Sequence, residues 1–424
     1  MGKRVRPFGV LLIGMVIVIS GCHTAPDSKW QWYKGALHVH SLWSDGDEFP
    51  EVVAQWHRDH GYSFLAMTEH DRIAQDDRWI DLDEDFGEAV AEGMTTDPAR
   101  LPRSLQKRAN RVTGAQQMRL STLDEIRPHI EQPERFILVN AEEITDTCGK
   151  KPVHVNAINL GTAIKPQHGP TVVATIDNNL RAVREQSESL QRPMLAVVNH
   201  PNWKYGITAK ELAESHASFF EVYSGDPSVN HLGDDRHPPV ERIWDLANTI
   251  RLACLKRPPL WGIAGDDAHE YGDLGMHRMC PGRGWVKVRS KELTPSALIS
   301  AMNRGQFYAS SGVAIRKIRT SSIMLKLEIE PDGGAIFTTQ FIGTLYDPDL
   351  VAEHGYAGAI NPGRIGTVLA TVYGRQPSYN LTGKELYVRA VVTSSKPKDL
   401  PTYRGQLEQA WTQPVHCIDL KSRG

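Results

Sequence analysis

Seven apolar runs of strand length recur through the first two thirds of the chain, separated by stretches of helix length. They are ALHVH (36–40), FLAMTEH (64–70), FILVNAEEI (136–144), VHVNAINL (153–160), LAVVNH (195–200), FFEVYS (219–224) and LWGIAGDDAH (260–269). Most are nearly continuous in apolar character, as in strands covered on both faces of a parallel sheet or barrel. Segments 50–60, 176–189 and 240–250 have the length and composition of intervening helices, so the alternation predicts βα units and an α/β fold. Beyond about residue 315 the period changes. Ile323, Leu325, Leu327 and Ile329 alternate with Lys326 and Glu328, and Leu386, Val388, Ala390 and Val392 alternate around Tyr387 and Arg389. Period two between the turn signals PDGG and NLTGK predicts antiparallel strands with one wet face, and hence a small β-rich domain over 315–424.

Length and charge narrow the class. A chain of 424 residues with 40% hydrophobic content can bury a large core and more than one domain. A formal net charge of −2 argues against a nucleic-acid scaffold held by bulk charge, and nothing points to specific nucleic-acid binding. A segment at about 72–133, rich in charge and helix formers, interrupts the strand pattern; a lid over a site and a solvated decoration are both open readings.

The N-terminus reads as a targeting segment. MGKRVRP supplies a basic start and FGVLLIGMVIVIS an apolar stretch of signal-peptide length. Ile19-Ser20-Gly21-Cys22 then resembles a bacterial lipoprotein box, which implies cleavage and lipid modification at Cys22. The expected division is a signal peptide over 1–22, a linker over 23–34, a catalytic domain over 35–314 and the β-rich domain after it. The expected location is the bacterial cell envelope, with the protein lipid-anchored in the membrane and facing the periplasm or exterior. Cys148, Cys254, Cys280 and Cys417 are enough for two disulfides there, or equally for unpaired buried thiols; their spacing fits no CxxC zinc pattern.

Six of the seven runs end in, or carry near an end, a His, Asp or Glu. The active site of a parallel-stranded barrel lies at the mouth formed by its strand ends. His38 and His40, two apart, share one face, and neutral imidazole is a common ligand for zinc, iron and manganese. Asp45 follows in the next turn. His70 closes the second run, with Glu69 turned the other way. Glu142 and Glu143 are neighbours on opposite faces, so only one points inward. His154 opens the fourth run, and Pro201 ends the fifth immediately after His200. Asp267 and His269 share a face while Asp266 points away.

Taken in order, HVHSLWSDG, TEHD, AEEIT, HVNAINL, NHP and GDDAH resemble the PHP family, named for its polymerase-associated and histidinol-phosphatase members. The resemblance spans roughly 35–312 and implies a distorted (βα)7 barrel whose mouth holds two or three divalent metal ions (Zn, Mn or Fe) and hydrolyses phosphoesters. It implies that His38, His40, Asp267 and a glutamate hold one metal. In that family the bridging glutamate precedes an aliphatic residue, so the resemblance favours Glu143 over Glu142 as the bridge. His154 and His200 would join Glu143 on a second metal, and Asp45, His70 and His269 would hold the third. GRGWVKV, ALISAMNRGQFYASSGV and YVRAVVTSS are similar to the carbaryl-hydrolase-like (CehA/McbA) branch, which includes members that cleave a carbamate ester. Arg283 and Trp285, in the first of these, are open to a role near the mouth or to packing at a domain junction.

The expected chemistry is metal-dependent hydrolysis of a small-molecule ester, with a metal-bridging hydroxide as nucleophile and phosphoesters as the leading substrate class. The alternatives are a carbamate, ester or amide hydrolase, and a non-catalytic metal- or ligand-binding lipoprotein.

Overall fold

The computed structural model describes residues 1–2, 30–81, 117–272, 274–347 and 362–416. The apolar leader, Cys22, linker residues 23–29, most of the 72–133 insertion and Cys417 lie outside the described residues.

A large sheet organises the molecule. Its first part holds β1 (Gln31–Ala36), β2 (Phe64–Met67), β5 (Ile137–Cys148), β6 (Lys151–Ile158), β7 (Leu195–Val198), β8 (Phe219–Ser224) and β9 (Trp261–Gly265), hydrogen-bonded in that order. Strands β3 (Trp79–Asp81) and β4 (Gln117–Arg119) form a separate ribbon. The far end of the path returns to its start. Val39 and Ala268 form a parallel bridge, with His40 N donating to Ala268 O at 2.9 Å and Asp267 N donating to His38 O at 3.0 Å.

The strands are not all parallel, as the apolar runs alone suggest. The pairs β1–β2, β2–β5, β7–β8 and β8–β9 are parallel, but β6 runs antiparallel to both β5 and β7. The reason is local. Only Gly149 and Lys150 separate Cys148 from its partner Lys151, and a two-residue connection makes a hairpin, never a parallel crossover. Gly149, at φ +62°, supplies the left-handed residue that such a turn demands.

Helices cover the outside of these strands. They are α1 (Pro50–Asp59), α2 (Leu123–Ile130), α3 (Val172–Ser189), α4 (Ala209–Glu214), α5 (Val240–Thr249) and α6 (Pro295–Met302). Thr122 and Glu125 form a reciprocal capping box at the start of α2. Thr171 caps α3, which therefore begins at Val172, four residues before the expected start. Leu37, Ala66, Val139, Ala141, Ile158, Val197, Phe219 and Ile263 make one buried apolar cluster with Leu298, Ile299 and Met302 of α6.

On the other side of β1 the same sheet continues through β10 (Trp285–Ser290) and β11 (Phe307–Ser310). The pairing then jumps along the chain. Strands β12 (Ile315–Ser321), β13 (Met324–Ile329) and β16 (Ser378–Asn380) form their own small sheet, while β14 (Phe337–Leu345), β15 (Thr367–Tyr373), β17 (Glu385–Pro397) and β18 (Leu407–Thr412) extend the large one; β19 (Val415–His416) pairs with β17. The antiparallel pairing expected after 315 is present, and it is continuous with the rest: β11 pairs with β18 across that position. A buried ion pair adds to this contact. Arg389 on β17 donates to both oxygens of Asp245 on α5, at 2.9 and 2.8 Å, and Tyr387 Oη donates to the same carboxylate at 2.8 Å.

Candidate metal centre

The chain stays extended past the end of β1, and His38 and His40 sit there on one face, both fully buried. His70 stands just beyond β2, bridged to Glu143 on β5. His154 lies in β6, His200 follows β7, and Asp267 and His269 follow β9. The structure brings all nine sequence-derived candidates to one place.

Glu143 is the hub. Its Oε2 lies 3.4 Å from His38 Nε2, 3.4 Å from His40 Nε2 and 3.1 Å from His70 Nδ1. Its Oε1 lies 3.1 Å from His154 Nδ1 and 3.3 Å from His200 Nε2. One carboxylate thus presents a different oxygen to each of two imidazole groups. Asp267 Oδ1 is 3.1 Å from His38 Nε2 and 3.3 Å from His40 Nε2. Asp45 folds back from its turn to His70 (3.4 Å) and His269 (3.2 Å). Glu142 faces away: its Oε1 accepts from Ile164 N at 2.6 Å.

Three groupings have ligand atoms within 4.8 Å of one another: His40 with Asp45, His70 and His269; His38 with Glu143 and His200; and His38 with His40 and Asp267. The family-derived division differs: His40 also joins Asp45, His70 and His269, His38 joins Glu143 and His200, and His154 falls in none of the three groupings. His154 enters through Glu143.

Electrostatics show which charges the site favours. Burial penalises charge on Asp45, Glu143 and Asp267, yet the surrounding imidazoles outweigh it and hold all three carboxyls well below their ordinary range. Burial and the neighbouring His269 push His40 down to about 3. Burial also opposes charge on His70 and His269, but hydrogen bonds to Asp45, joined by Glu143 at His70 and Asp267 at His269, raise them to about 10 and about 9. Two buried ionised carboxylates, Glu143 and Asp267, with the exposed Asp45 at their edge, draw positive charge inward. Although Asp267 is close, the Nε2 atoms of His38 and His40 have no hydrogen-bond partner. Two orphaned ring nitrogens converging on carboxylate oxygens fit a divalent cation, and the mixed N/O set suits zinc, manganese or iron.

Behind these side chains lies a supporting layer to which the sequence reading gave no role. His38 Nδ1 meets Glu221 Oε1 at 2.6 Å, and Glu221 Oε2 accepts from the backbone N–H of His200 at 2.9 Å. His40 Nδ1 meets Ser44 Oγ at 3.2 Å; Ser44 donates to Glu69 at 2.6 Å and Ser41 does so at 2.5 Å. Asn199 Nδ2 donates to Glu143 Oε1 at 2.7 Å. Such contacts fix ring tautomers and orient ligands. The available signal was FFEVYS itself, since a carboxylate inside an apolar strand is almost never buried unpaired.

Asp266, as expected, turns from its neighbour and accepts from the backbone N–H groups of Gly282, Arg283 and Gly284 at 2.9, 2.6 and 2.6 Å. Arg283 is fully buried among loop carbonyls, including those of Gly225 (2.8 Å) and Gly275 (2.7 Å). Trp285 packs near Lys34 instead of the mouth. Both are packing residues. Cys148, Cys254 and Cys280 are free thiols.

The cluster opens into a cleft of about 550 Å³, whose walls include Thr145, Thr147, Lys150, Trp203, Lys204 and Met279. No protein-family profile matches the chain, and no curated protein matches it. Among solved structures the chain is similar to a two-domain protein from Bacteroides vulgatus containing a predicted PHP-like metal-dependent phosphoesterase. That similarity is 16% identity over 91% of this chain and 95% of that one, with a TM-score of 0.39. It is also similar to a protein from Bifidobacterium adolescentis predicted to be a metal-dependent phosphoesterase, at 13% identity over 58% of this chain and 91% of that one, with a TM-score of 0.26. At these low scores, only the side-chain geometry bears on function.

Proposed function

We propose that this protein is a metal-dependent hydrolase whose substrates are phosphate esters. The observation that carries the reading is Glu143, buried, with one oxygen turned to His38, His40 and His70 and the other to His154 and His200. Such a carboxylate would serve as a shared ligand for divalent ions acting on one substrate. We take His38, His40, Asp45, His70, Glu143, His154, His200, Asp267 and His269 as the ligands of two or three divalent ions. When bound, these ions supply an activated water at neutral pH and offset the charge that grows on the ester oxygens.

The remaining steps belong to the chain. Glu221 and Ser44 hold the His38 and His40 rings in orientation from behind. Trp203, with its ring 5.1 Å from that of His154 and 5.4 Å from that of His200, shields that side from water. Thr147 offers a hydroxyl donor along the cleft to a non-bridging ester oxygen, while the hydroxyls of Thr145 and Ser228 donate to Glu143 O at 3.2 Å and Asp226 Oδ2 at 2.6 Å. In this reading the ring β1-β2-β5-β6-β7-β8-β9, joined at Val39 and Ala268, is a distorted seven-stranded barrel, and the segment after 315 is its β-rich companion domain. A lipid on Cys22 would hold the enzyme at the envelope membrane.

The test is metal analysis of the purified full chain together with phosphate release from mono- and diesters after loading with manganese, zinc or iron. Phosphate release that falls with chelation is the expected result. Turnover of carbamate or carboxylic esters without phosphate release would overturn the phosphoester reading and favour the carbaryl-hydrolase-like alternative. Tight metal binding with no turnover of either panel would point to a non-catalytic binding protein.

A further inference from the structure

Two elements overhang the cleft, and each carries a lysine at its tip. The first is the β5–β6 hairpin, whose two-residue turn is Gly149-Lys150; Thr145 and Thr147, on the same face of β5 as Glu143, line the path from the cluster toward it. The second is the turn after β7, Asn202-Trp203-Lys204-Tyr205-Gly206. Lys204 (φ +48°) and Tyr205 (φ +53°) are consecutive non-glycine residues in the left-handed region. Side chains resist that conformation, and it persists only where the surroundings enforce it.

The enforcement is visible. Tyr205 Oη donates to Asp234 at 2.7 Å, its ring stacks on His237 at 3.6 Å between centroids, and Asn230 donates to its hydroxyl at 2.6 Å. Gly206 lies against the hairpin so closely that a Cβ there would sit 2.4 Å from Pro152 O. The strained turn and the hairpin therefore brace each other, and both lysines belong to the wall of the same cleft. Neither pairs with a carboxylate among the described residues. Lys204 Nζ lies 4.1 Å over the Trp203 ring, while Lys151, one residue past the hairpin tip, is engaged by Glu211 at 3.1 Å. The carboxylates of the cleft, Asp45, Glu143, Asp226 and Asp267, are separate from this rim pair in the chain and sit among the imidazoles or on their own loop.

We infer that Lys150 and Lys204 form an anion-reading rim, selecting phosphate esters whose organic part carries a second negative group and rests against Trp203. This rests on the hydrolase reading above. The cations take the scissile phosphate, so a second pair of positive charges at the rim has no role with a substrate that is neutral outside its phosphate. With a carboxylate or second phosphate on the far end, the lysines supply orientation and lower KM.

The experiment compares phenyl phosphate with 4-carboxyphenyl phosphate on the metal-loaded full chain, by steady-state kinetics and by calorimetric binding to the same preparation. The expected result is a KM and a Kd about three- to ten-fold lower for the carboxylated ester, the scale of two partly exposed ion pairs. That preference should shrink as salt rises from 0.05 to 0.5 M. Lys150→Gln with Lys204→Gln should bring the ratio near one, whereas Lys151→Gln should leave it as in the native protein. Equal constants for both esters in the native protein, or a ratio that survives the double substitution, would overturn the proposal. Absence of turnover on both esters would count against the hydrolase reading alone, because the calorimetric ratio still decides the rim.

Discussion

Glu221 is the sharpest place to test whether the supporting layer governs metal affinity. Its two oxygens serve two different donors, the His38 ring at 2.6 Å and the His200 backbone N–H at 2.9 Å, and all three residues are buried. Glu221→Gln keeps the shape but offers one oxygen and one amide NH2, so one donor must face another donor. Leaving a buried donor unsatisfied costs about 1–3 kcal/mol. Loss of an outer partner to a metal-binding histidine typically weakens metal affinity by about 10- to 100-fold, or roughly 1.4–2.7 kcal/mol. Because His38 and His200 are both affected, we expect the upper half of that range. Chelator-competition titration of metal affinity, with thermal unfolding of the metal-free protein beside it, separates the two effects. Gly265→Ala offers an independent perturbation, since its Cβ would stand 2.6 Å from Glu221 Oε1 and 2.9 Å from His38 Cβ without removing a polar group. If Glu221→Gln unfolded earlier but bound metal within about two-fold of the native affinity, the orienting role would be wrong and Glu221 would be a stability residue only.

Three further outcomes are expected. Glu143→Gln should lower the metal stoichiometry and abolish turnover, while Glu142→Gln, altering a side chain directed at Ile164 N, should retain full metal content by elemental analysis; the reverse result would exchange their roles. Arg389→Ala should destabilise by about 3–5 kcal/mol in urea titrations, because it strands the buried Asp245 carboxylate; a loss below about 1 kcal/mol would show that Asp245 finds another partner. Burial lowers the Lys398 ammonium to about 8, against an ordinary value of 10.5. Between those values the unfolded chain holds a proton that the folded chain does not. The stability is therefore fully present above the unfolded value and lost as pH falls through the window, by about 3 kcal/mol at most. Lys398→Met should flatten the rise between pH 8 and 10.5 in the metal-loaded protein, and an unchanged slope would exclude this lysine as its source.

What the sequence revealed and what it hid follow from the range of the forces involved. Strand positions were legible because burial on both faces leaves uninterrupted apolar runs, and His38 with His40 because two-residue periodicity is local; Asp267 and His269 lie beyond β9, where Asp267 has left the strand conformation (φ +51°), so strand parity does not account for their place in the cluster. The direction of β6 could have been deduced from a connection too short for a crossover, but apolar content carries no strand direction. Glu221 and Asn199 were not identified because their partners lie far along the chain, 183 residues apart for His38 and Glu221 and 56 for Glu143 and Asn199; Ser44 is only four residues from His40, but it lies in a turn, where no periodicity says which way a side chain faces. The continuity of the sheet from β11 to β18 is likewise a long-range pairing, which alternation alone cannot place.

The antiparallel β6 has consequences for the chemistry. In a parallel pair the next strand would begin at the opposite edge of the sheet, and its first residues would lie far from the cluster. Reversal by Gly149-Lys150 instead puts the opening of β6 at the cluster, which is how His154, near the start of its strand, faces Glu143 across the hairpin at 3.1 Å. The same reversal projects Thr145, Thr147 and Lys150 beyond the cluster as one continuous wall. A single hairpin thus contributes the hub carboxylate, one imidazole and a rim cation. Shortening it at the tip would alter substrate preference before metal content, whereas a register shift of one residue would turn Glu143 outward and Glu142 inward and destroy the centre.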